Sequence, residues 1–312
     1  MVESGEEFWK MNLRIPKHYQ SIELDRDEFG SAIQDLGDTS LEILLFQSDR
    51  EQKLVLARNA LQILISLQYH LSSRPEYVME VREMENLTNE MSENFGAILT
   101  VGASELYGRW KSDDEREFRS FISPIVSVLI DETKQIIHGD YYPANLMIKD
   151  KEMYVIDFDH VCLGPWQFDF VNLLKHPSFN LNKDNVEDLF AYFVLQRINF
   201  SLKEEHGVKR GKVGSFEVLD SNYRRTAIKT LYFSNIFNDF RILGSSFRSR
   251  IKNPLEYAAR IQENPRYQGY DQWYLNDLKQ VLDDIAEADF LIRDERNSIE
   301  RLKIICQKYD FF

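Results

Sequence analysis

Cysteine is nearly absent from this chain. Cys162 and Cys306 are the only two in 312 residues, without the spacing of a disulfide framework or a thiolate metal site, so a reducing, cytoplasmic setting is expected. The six His residues are scattered and form no zinc pattern. No apolar run reaches membrane-spanning length, and Glu3, Glu6 and Glu7 precede any hydrophobic stretch. Neither a secretory leader nor a membrane anchor is expected from that pattern. Positive charge is short as well: 38 Lys and Arg stand against 51 Asp and Glu, a formal net charge of −13. A nucleic-acid surface needs clustered Lys and Arg, so no nucleic-acid partner is expected. Glycine is sparse, 13 residues, and no G-x-G-x-x-G run occurs. The one glycine-rich basic stretch, Gly207-Val-Lys-Arg-Gly-Lys-Val-Gly214, has three residues between its first glycines and then Lys-Val. A Walker loop needs four and then Lys-Ser or Lys-Thr, so this stretch reads as a solvated loop.

What is present is a long enough chain, 43% hydrophobic and 13% aromatic, to bury a substantial core. Its most informative segment is Ile136-Ile-His-Gly-Asp-Tyr-Tyr-Pro-Ala-Asn145, followed by Val155-Ile-Asp-Phe-Asp159. Asn145-Leu-Met-Ile-Lys149 reads as a short strand, Asp150-Lys-Glu152 as a turn, and Met153 to Phe158 as a second strand pairing with the first. Such a hairpin brings Asn145 and Asp157 to one end. Asp140, placed before a Pro turn, then faces an acceptor hydroxyl, while an amide oxygen and a carboxylate are ligands suited to magnesium once a nucleotide supplies further oxygens.

These residues resemble the aminoglycoside phosphotransferase and choline kinase group of small-molecule kinases, which share the protein-kinase fold. The resemblance rests on His138, Gly139, Asp140, Pro143, Asn145, Ile156, Asp157, Phe158, Gly164, Pro165 and Asp169. Two departures stand out. Tyr142 occupies a position where the group often has His and protein Ser/Thr kinases have Lys, which argues against a protein substrate. Asp159 replaces the Gly of Asp-Phe-Gly and reads either as a supplementary metal-site acid or as a solvated carboxylate. The resemblance implies ATP and Mg2+, with Asp140 catalytic, Asn145 and Asp157 on the metal, His138 fixing the loop, and Asp169 capping a helix and bracing the loop.

Phe29 to Asp38, ending Asp-Leu-Gly-Asp, resembles the linker that crosses over the adenine in that group. In that register Ile33 is the gatekeeper, the Gln34 carbonyl accepts from the adenine amino group and the Leu36 amide donates to the ring. Ser48-Asp49 is an N-cap candidate for a helix with Leu54, Ala57, Leu61, Leu64, Leu67 and Leu71 at helical spacing. Further helices are expected over Glu115–Ile130, Asn185–Ser201 and Tyr223–Leu243, and one or two over Gln272–Gln307. Tyr232, Phe233, Asn235, Asn238 and Asp239 either line an acceptor pocket or pack the core.

The expected fold is α+β: a protein-kinase-like fold with a truncated N-terminal β lobe and a large, mainly α-helical C-terminal lobe containing the catalytic β-hairpin. Residues 1–37 hold the lobe remnant, a helix tail from Glu3 to Met11, strands at Leu13–Tyr19 and Gly30–Ile33, and the hinge; residues 38–312 form the other lobe. Glu3, Glu6 and Glu7 are either acids that pair with a strand Lys or a solvated helix face. The phosphate loop and strand Lys of the group have no counterpart in the sequence. Three explanations stay open: a partner chain completes the N-terminal lobe, the sequence begins at an internal Met, or the protein is a degenerate kinase. The expected function is transfer of the γ-phosphoryl group of ATP to a hydroxyl of a small molecule such as an amino sugar or amino alcohol. The alternative is a degenerate lobe that binds another protein.

Overall fold

In the computed structural model, residues 14–25, 28–73, 82–83, 112–131, 135–206, 219–263 and 265–308 are described. Their elements are mainly helical with short strands, an α+β fold as expected. The strands are β1 (His18–Asp25), β2 (Glu28–Ile33), β3 (Arg82–Glu83), β4 (Gln135–Ile137), β5 (Leu146–Lys149), β6 (Glu152–Val155) and β7 (Cys162–Gly164). The helices are α1 (Leu41–Gln47), α2 (Arg50–Ser73), α3 (Ser112–Asp131), α4 (Gln167–Leu174), α5 (Lys183–His206), α6 (Ser221–Lys252), α7 (Pro254–Glu263), α8 (Tyr270–Ala286) and α9 (Arg293–Lys308). The expected helix tail at Glu3–Met11 and the Gly207–Gly214 loop lie outside the described residues. The elements group into two compact units.

The first unit carries β1, β2, α1, α2, β4, β5, β6 and α5. β1 and β2 are antiparallel, with His18 opposite Ile33 and Ser21 opposite Ser31. β1 starts at His18, so residues 14–17 of the expected strand lie outside it, where Pro16 has no N–H to give to a ladder; Leu13 lies outside the described residues. Gln34 N–H donates to the Lys17 carbonyl at 2.7 Å and closes the ribbon where the expected hinge begins.

α1 and α2 start on side-chain caps that compensate their unpaired first-turn N–H groups. Ser40 Oγ accepts from Ile43 N–H at 3.4 Å. Asp49 Oδ1 accepts from Gln52 N–H at 2.8 Å while Asp49 N–H donates to Gln52 Oε1 at 3.0 Å, a reciprocal capping box. Of the expected stripe on α2, Ala57, Leu61, Leu64 and Leu67 are buried, and Leu56, Ala60, Ile63 and Ile65 join them because α5 packs on the same helix. The wide apolar face makes α2 the wall against which the loop after β4 is laid.

β5 and β6 form the expected hairpin, Leu146 opposite Val155 and Lys149 opposite Glu152. Its turn is only Asp150-Lys151, with φ of 52° and 62°. A two-residue turn with both φ positive matches the right-handed twist of the strands, but it places two non-glycine residues in the left-handed region. Lys151→Gly is therefore expected to stabilise the protein by about 0.5–1 kcal/mol, read as a higher urea midpoint at unchanged m-value. A lower midpoint would show that the chain-entropy cost of glycine outweighs the relief.

The second unit carries α3, the opening of α4, and α6 to α9. α6 packs on α8 and α3, and α9 packs on α3 and α8, burying Phe233, Phe237, Phe240, Leu278, Leu282 and Leu302 between them. The expected helices over 115–130 and 223–243 extend to Ser112–Asp131 and Ser221–Lys252; in the first unit, that over 185–201 extends to Lys183–His206. The segment 272–307 is two helices. Arg296 ends α8 by donating to the carbonyls of Ala286 at 2.7 Å and Ala288 at 2.6 Å, a cation at a helix C-terminus. Glu295 starts α9 by accepting from Ile292 N–H at 3.0 Å, and its other oxygen holds Lys229 at 2.8 Å. Phe233 and Asp239 are buried, as are Asn235 and Asn238; Asn235 Nδ2 donates to Asp277 Oδ2 at 3.0 Å. Burial, reinforced by neighbouring Asp239, pushes the Tyr274 hydroxyl well above its ordinary pKa.

Candidate active site

β4 delivers the chain to His138, which is fully buried. Its Nδ1 accepts from Asp140 N–H at 3.3 Å and its Nε2 donates to the Ile156 carbonyl at 3.1 Å. One imidazole thus staples the loop that carries Asp140 to the strand end that carries Asp157, and its ring lies 4.9 Å from that of Phe158. With both nitrogens engaged, the geometry agrees with the expected fixing role of His138.

Gly139 follows with φ of 78°, and a Cβ built on it would lie 2.1 Å from the His160 carbonyl oxygen. Only a residue without a side chain lets the two segments approach this closely. Its own carbonyl accepts from Asn172 Nδ2 at 3.2 Å, and Tyr141 donates to the Ala60 carbonyl on α2 at 2.9 Å.

The turn after Asp140 is local hydrogen bonding. Tyr142 N–H donates to the Asp140 carbonyl at 3.0 Å, and Asn145 N–H to the Tyr142 carbonyl at 2.9 Å, with Pro143 opening a single 3₁₀ turn over Pro143–Asn145. The Asn145 side chain folds back: Nδ2 donates to the Asp140 carbonyl at 3.0 Å and to Asp140 Oδ2 at 3.2 Å. Since the nitrogen end is committed to Asp140, the oxygen end is the one presented outward. Asn145 also ties the hairpin, its carbonyl accepting from Ile156 N–H at 3.1 Å. Asp157, the next residue, is exposed and has φ of 65°. A non-glycine residue held left-handed at a strand end is a strained backbone, of the kind found where a side chain must be aimed.

The structure thus gathers His138, Asp140 and Asn145 into one hydrogen-bonded unit, with Asp157 adjoining it through the hairpin. Asp169 is fully buried in the first turn of α4. The helix starts at Gln167, so Asp169 sits inside it and not at the capping position. Among the described residues no group of three or more His, Cys, Asp or Glu side chains converges on a metal position.

In the expected hinge, Ile33 ends β2 and is 58% exposed. Neither the Gln34 carbonyl nor the Leu36 N–H is bonded within the described residues. The Asp35 carbonyl between them is bonded, to Lys149 Nζ at 2.5 Å.

Lys149, the end of the expected strand, and Tyr142 both make contacts that residue spacing does not announce. Tyr142, noted as a departure, stacks on His176 with centroids 6.0 Å apart and planes at 25°. His176 Nδ1 pairs with Ser178 Oγ at 2.8 Å, and its Nε2 lies 3.7 Å from buried Glu42 of α1. A buried Glu in a first helical turn was the available signal, but burial is not visible in a single sequence.

A model of the phosphotransferase enzyme family, APH, matches residues 103–197. No curated protein matches the sequence. Among solved structures, an ethanolamine kinase of Plasmodium vivax aligns at 12% identity with a TM-score of 0.47, covering 86% of this chain and 67% of its own. A choline kinase of Cryptosporidium parvum Iowa II aligns at 11% identity and a TM-score of 0.43, covering 81% and 76%. An ADP-bound aminoglycoside phosphotransferase, APH(2'')-Ib, aligns at 14% identity and a TM-score of 0.42, covering 93% and 78%. The resemblance carried by the loop is thus matched by the phosphotransferase enzyme family over residues 103–197, the stretch that holds His138, Asp140, Asn145 and Asp157.

Proposed function

We propose that this protein transfers the γ-phosphoryl group of ATP to a hydroxyl of a small molecule. The observation that carries the reading is the Asn145 side chain, whose amide nitrogen holds both the backbone and the carboxylate of Asp140 while its backbone carbonyl holds the Asp157 strand. Asp140 orients the acceptor hydroxyl and takes its proton as the new bond to phosphorus forms. Gln34 and Leu36 receive the adenine through a carbonyl and an N–H that make no bond among the described residues.

The donors at Asn145 and Asp157, an amide oxygen and a carboxylate, are hard oxygen ligands that fit Mg2+, which takes its remaining ligands from phosphates and water. When bound, Mg2+ neutralises charge on the β- and γ-phosphates. The left-handed backbone at Asp157 and the commitment of Asn145 Nδ2 to Asp140 orient the two ligands. The acidic balance of the chain suits a cationic acceptor such as an amino sugar or amino alcohol.

The test is calorimetric titration of the chain with ADP and ATP, with and without Mg2+. Nucleotide binding that strengthens with Mg2+, and weakens in Asp157→Asn only when Mg2+ is present, is expected. A folded chain that binds no nucleotide, alone or with the product of its neighbouring gene, would remove the enzyme reading and leave that of a protein-binding lobe.

A further inference from the structure

We propose that Lys149 is a positioning residue that sets the purine preference of the nucleotide site, by fixing one peptide group of the hinge. The inference rests on the reading that Gln34–Leu36 receives the base.

The argument starts from the peptide joining Asp35 to Leu36. A trans peptide is planar, and its carbonyl and N–H point in opposite directions. Lys149 Nζ holds the Asp35 carbonyl at 2.5 Å, so the Leu36 N–H is aimed away from Lys149. The next peptide is braced separately, with Gly37 N–H donating to Asp35 Oδ1 at 2.8 Å and Gly37 itself at φ of 75°. Lys149 reaches the hinge because β5 runs beside the chain that leaves it. Ile148 N–H donates to the Thr39 carbonyl at 2.8 Å, and Met147 bridges Ser40. Lys149, the last residue of β5, is carried past these contacts to Asp35.

With that peptide fixed, the hinge offers an acceptor at Gln34 and a donor at Leu36. Adenine presents a donor, its exocyclic amino group, next to a ring-nitrogen acceptor; guanine presents the reverse, an oxygen acceptor next to a ring N–H donor. Turning the 35–36 peptide over would put the Asp35 carbonyl opposite the guanine ring N–H and relieve one of the two mismatches, the Gln34 carbonyl still facing the guanine oxygen. That rotation breaks a charge-assisted hydrogen bond from an ammonium group. Lys149 thereby favours adenine without touching it, and the preference is built into a residue 114 positions along the chain from Asp35.

The experiment compares Lys149→Met and Lys149→Arg with the unaltered chain, measuring dissociation constants for ADP and GDP at saturating Mg2+, with circular dichroism to confirm folding. The unaltered chain is expected to prefer ADP. Lys149→Met should reduce the ADP-over-GDP ratio by about tenfold, chiefly by tighter GDP binding, while Lys149→Arg, which keeps the cation, should restore most of the ratio. Loss of affinity for both nucleotides in equal proportion would mark Lys149 as merely structural and overturn the proposal. So would a ratio in Lys149→Met within twofold of the original. If the unaltered chain binds neither nucleotide, the functional reading falls and takes this inference with it; if it binds ADP and the ratio does not respond, only this inference falls.

Discussion

Asp140→Asn is expected to lower turnover by about 10²–10⁴-fold while leaving the dissociation constant of the Mg2+ nucleotide within a few-fold of its original value. The substitution keeps shape and one side-chain oxygen for the Asn145 amide, which now bonds Asp140 Oδ2 at 3.2 Å, so the loop is not asked to refold. What it removes is the group proposed to accept the hydroxyl proton. The measurement is acceptor-dependent ADP release, run beside nucleotide titration of the same preparation. A variant that retains a tenth or more of the activity would take Asp140 out of the proton-accepting role. A variant that loses nucleotide affinity as steeply as turnover would instead show that the carboxylate serves the site as structure.

Gly139→Ala is expected to cost about 2–4 kcal/mol of stability and to abolish activity, because two penalties coincide. At φ of 78° any Cβ is strained, by about 1–2 kcal/mol. Here that Cβ also lies 2.1 Å from the His160 carbonyl oxygen, a backbone atom that cannot rotate aside. Relief requires separating the loop from the residues that follow Asp157, which breaks the alignment of the two acids. Gly37→Ala is the internal control. It has nearly the same φ, 75°, but nothing lies within 4 Å of its Cβ, so only the conformational penalty of about 1 kcal/mol remains. Urea midpoints of the two variants, measured side by side, separate the terms. Equal midpoints would show that the clash at Gly139 is absorbed by movement and carries no energetic weight.

The site was legible to the extent that it is built from short-range contacts. His138 to Asp140, Asp140 to Tyr142 and Asn145 to Asp140 are all hydrogen bonds spanning at most five residues, and the hairpin after Asn145 needs only a two-residue turn. Such interactions are encoded where they act, so residue type and spacing are enough to expect them. Helix ends were less legible. The capping box of Asp49 and Gln52 was half visible, through the cap residue, whereas the expected helix over 223–243 runs on to Lys252 with no stop signal in the sequence to mark that end. The start of the first strand was legible only in part: His18 and Tyr19 of the expected strand are in β1, while residues 14–17, which include Pro16, are not.

The chain's order of residues alone determined that an acid, an amide and a second acid share one loop-and-hairpin, and that Asp35-Leu-Gly-Asp38 bends back on the Asp35 side chain, since each follows from bonding between near neighbours. Only the tertiary structure decided that Lys149 holds the Asp35 carbonyl, that Glu42 and His176 lie beneath Tyr142, and that Gly139 meets the His160 carbonyl. Those pairings depend on how α1, α2 and β5 come together across long stretches of chain. Their geometry is set by the burial of apolar faces, a non-directional force that acts on the whole unit and is not written at either partner.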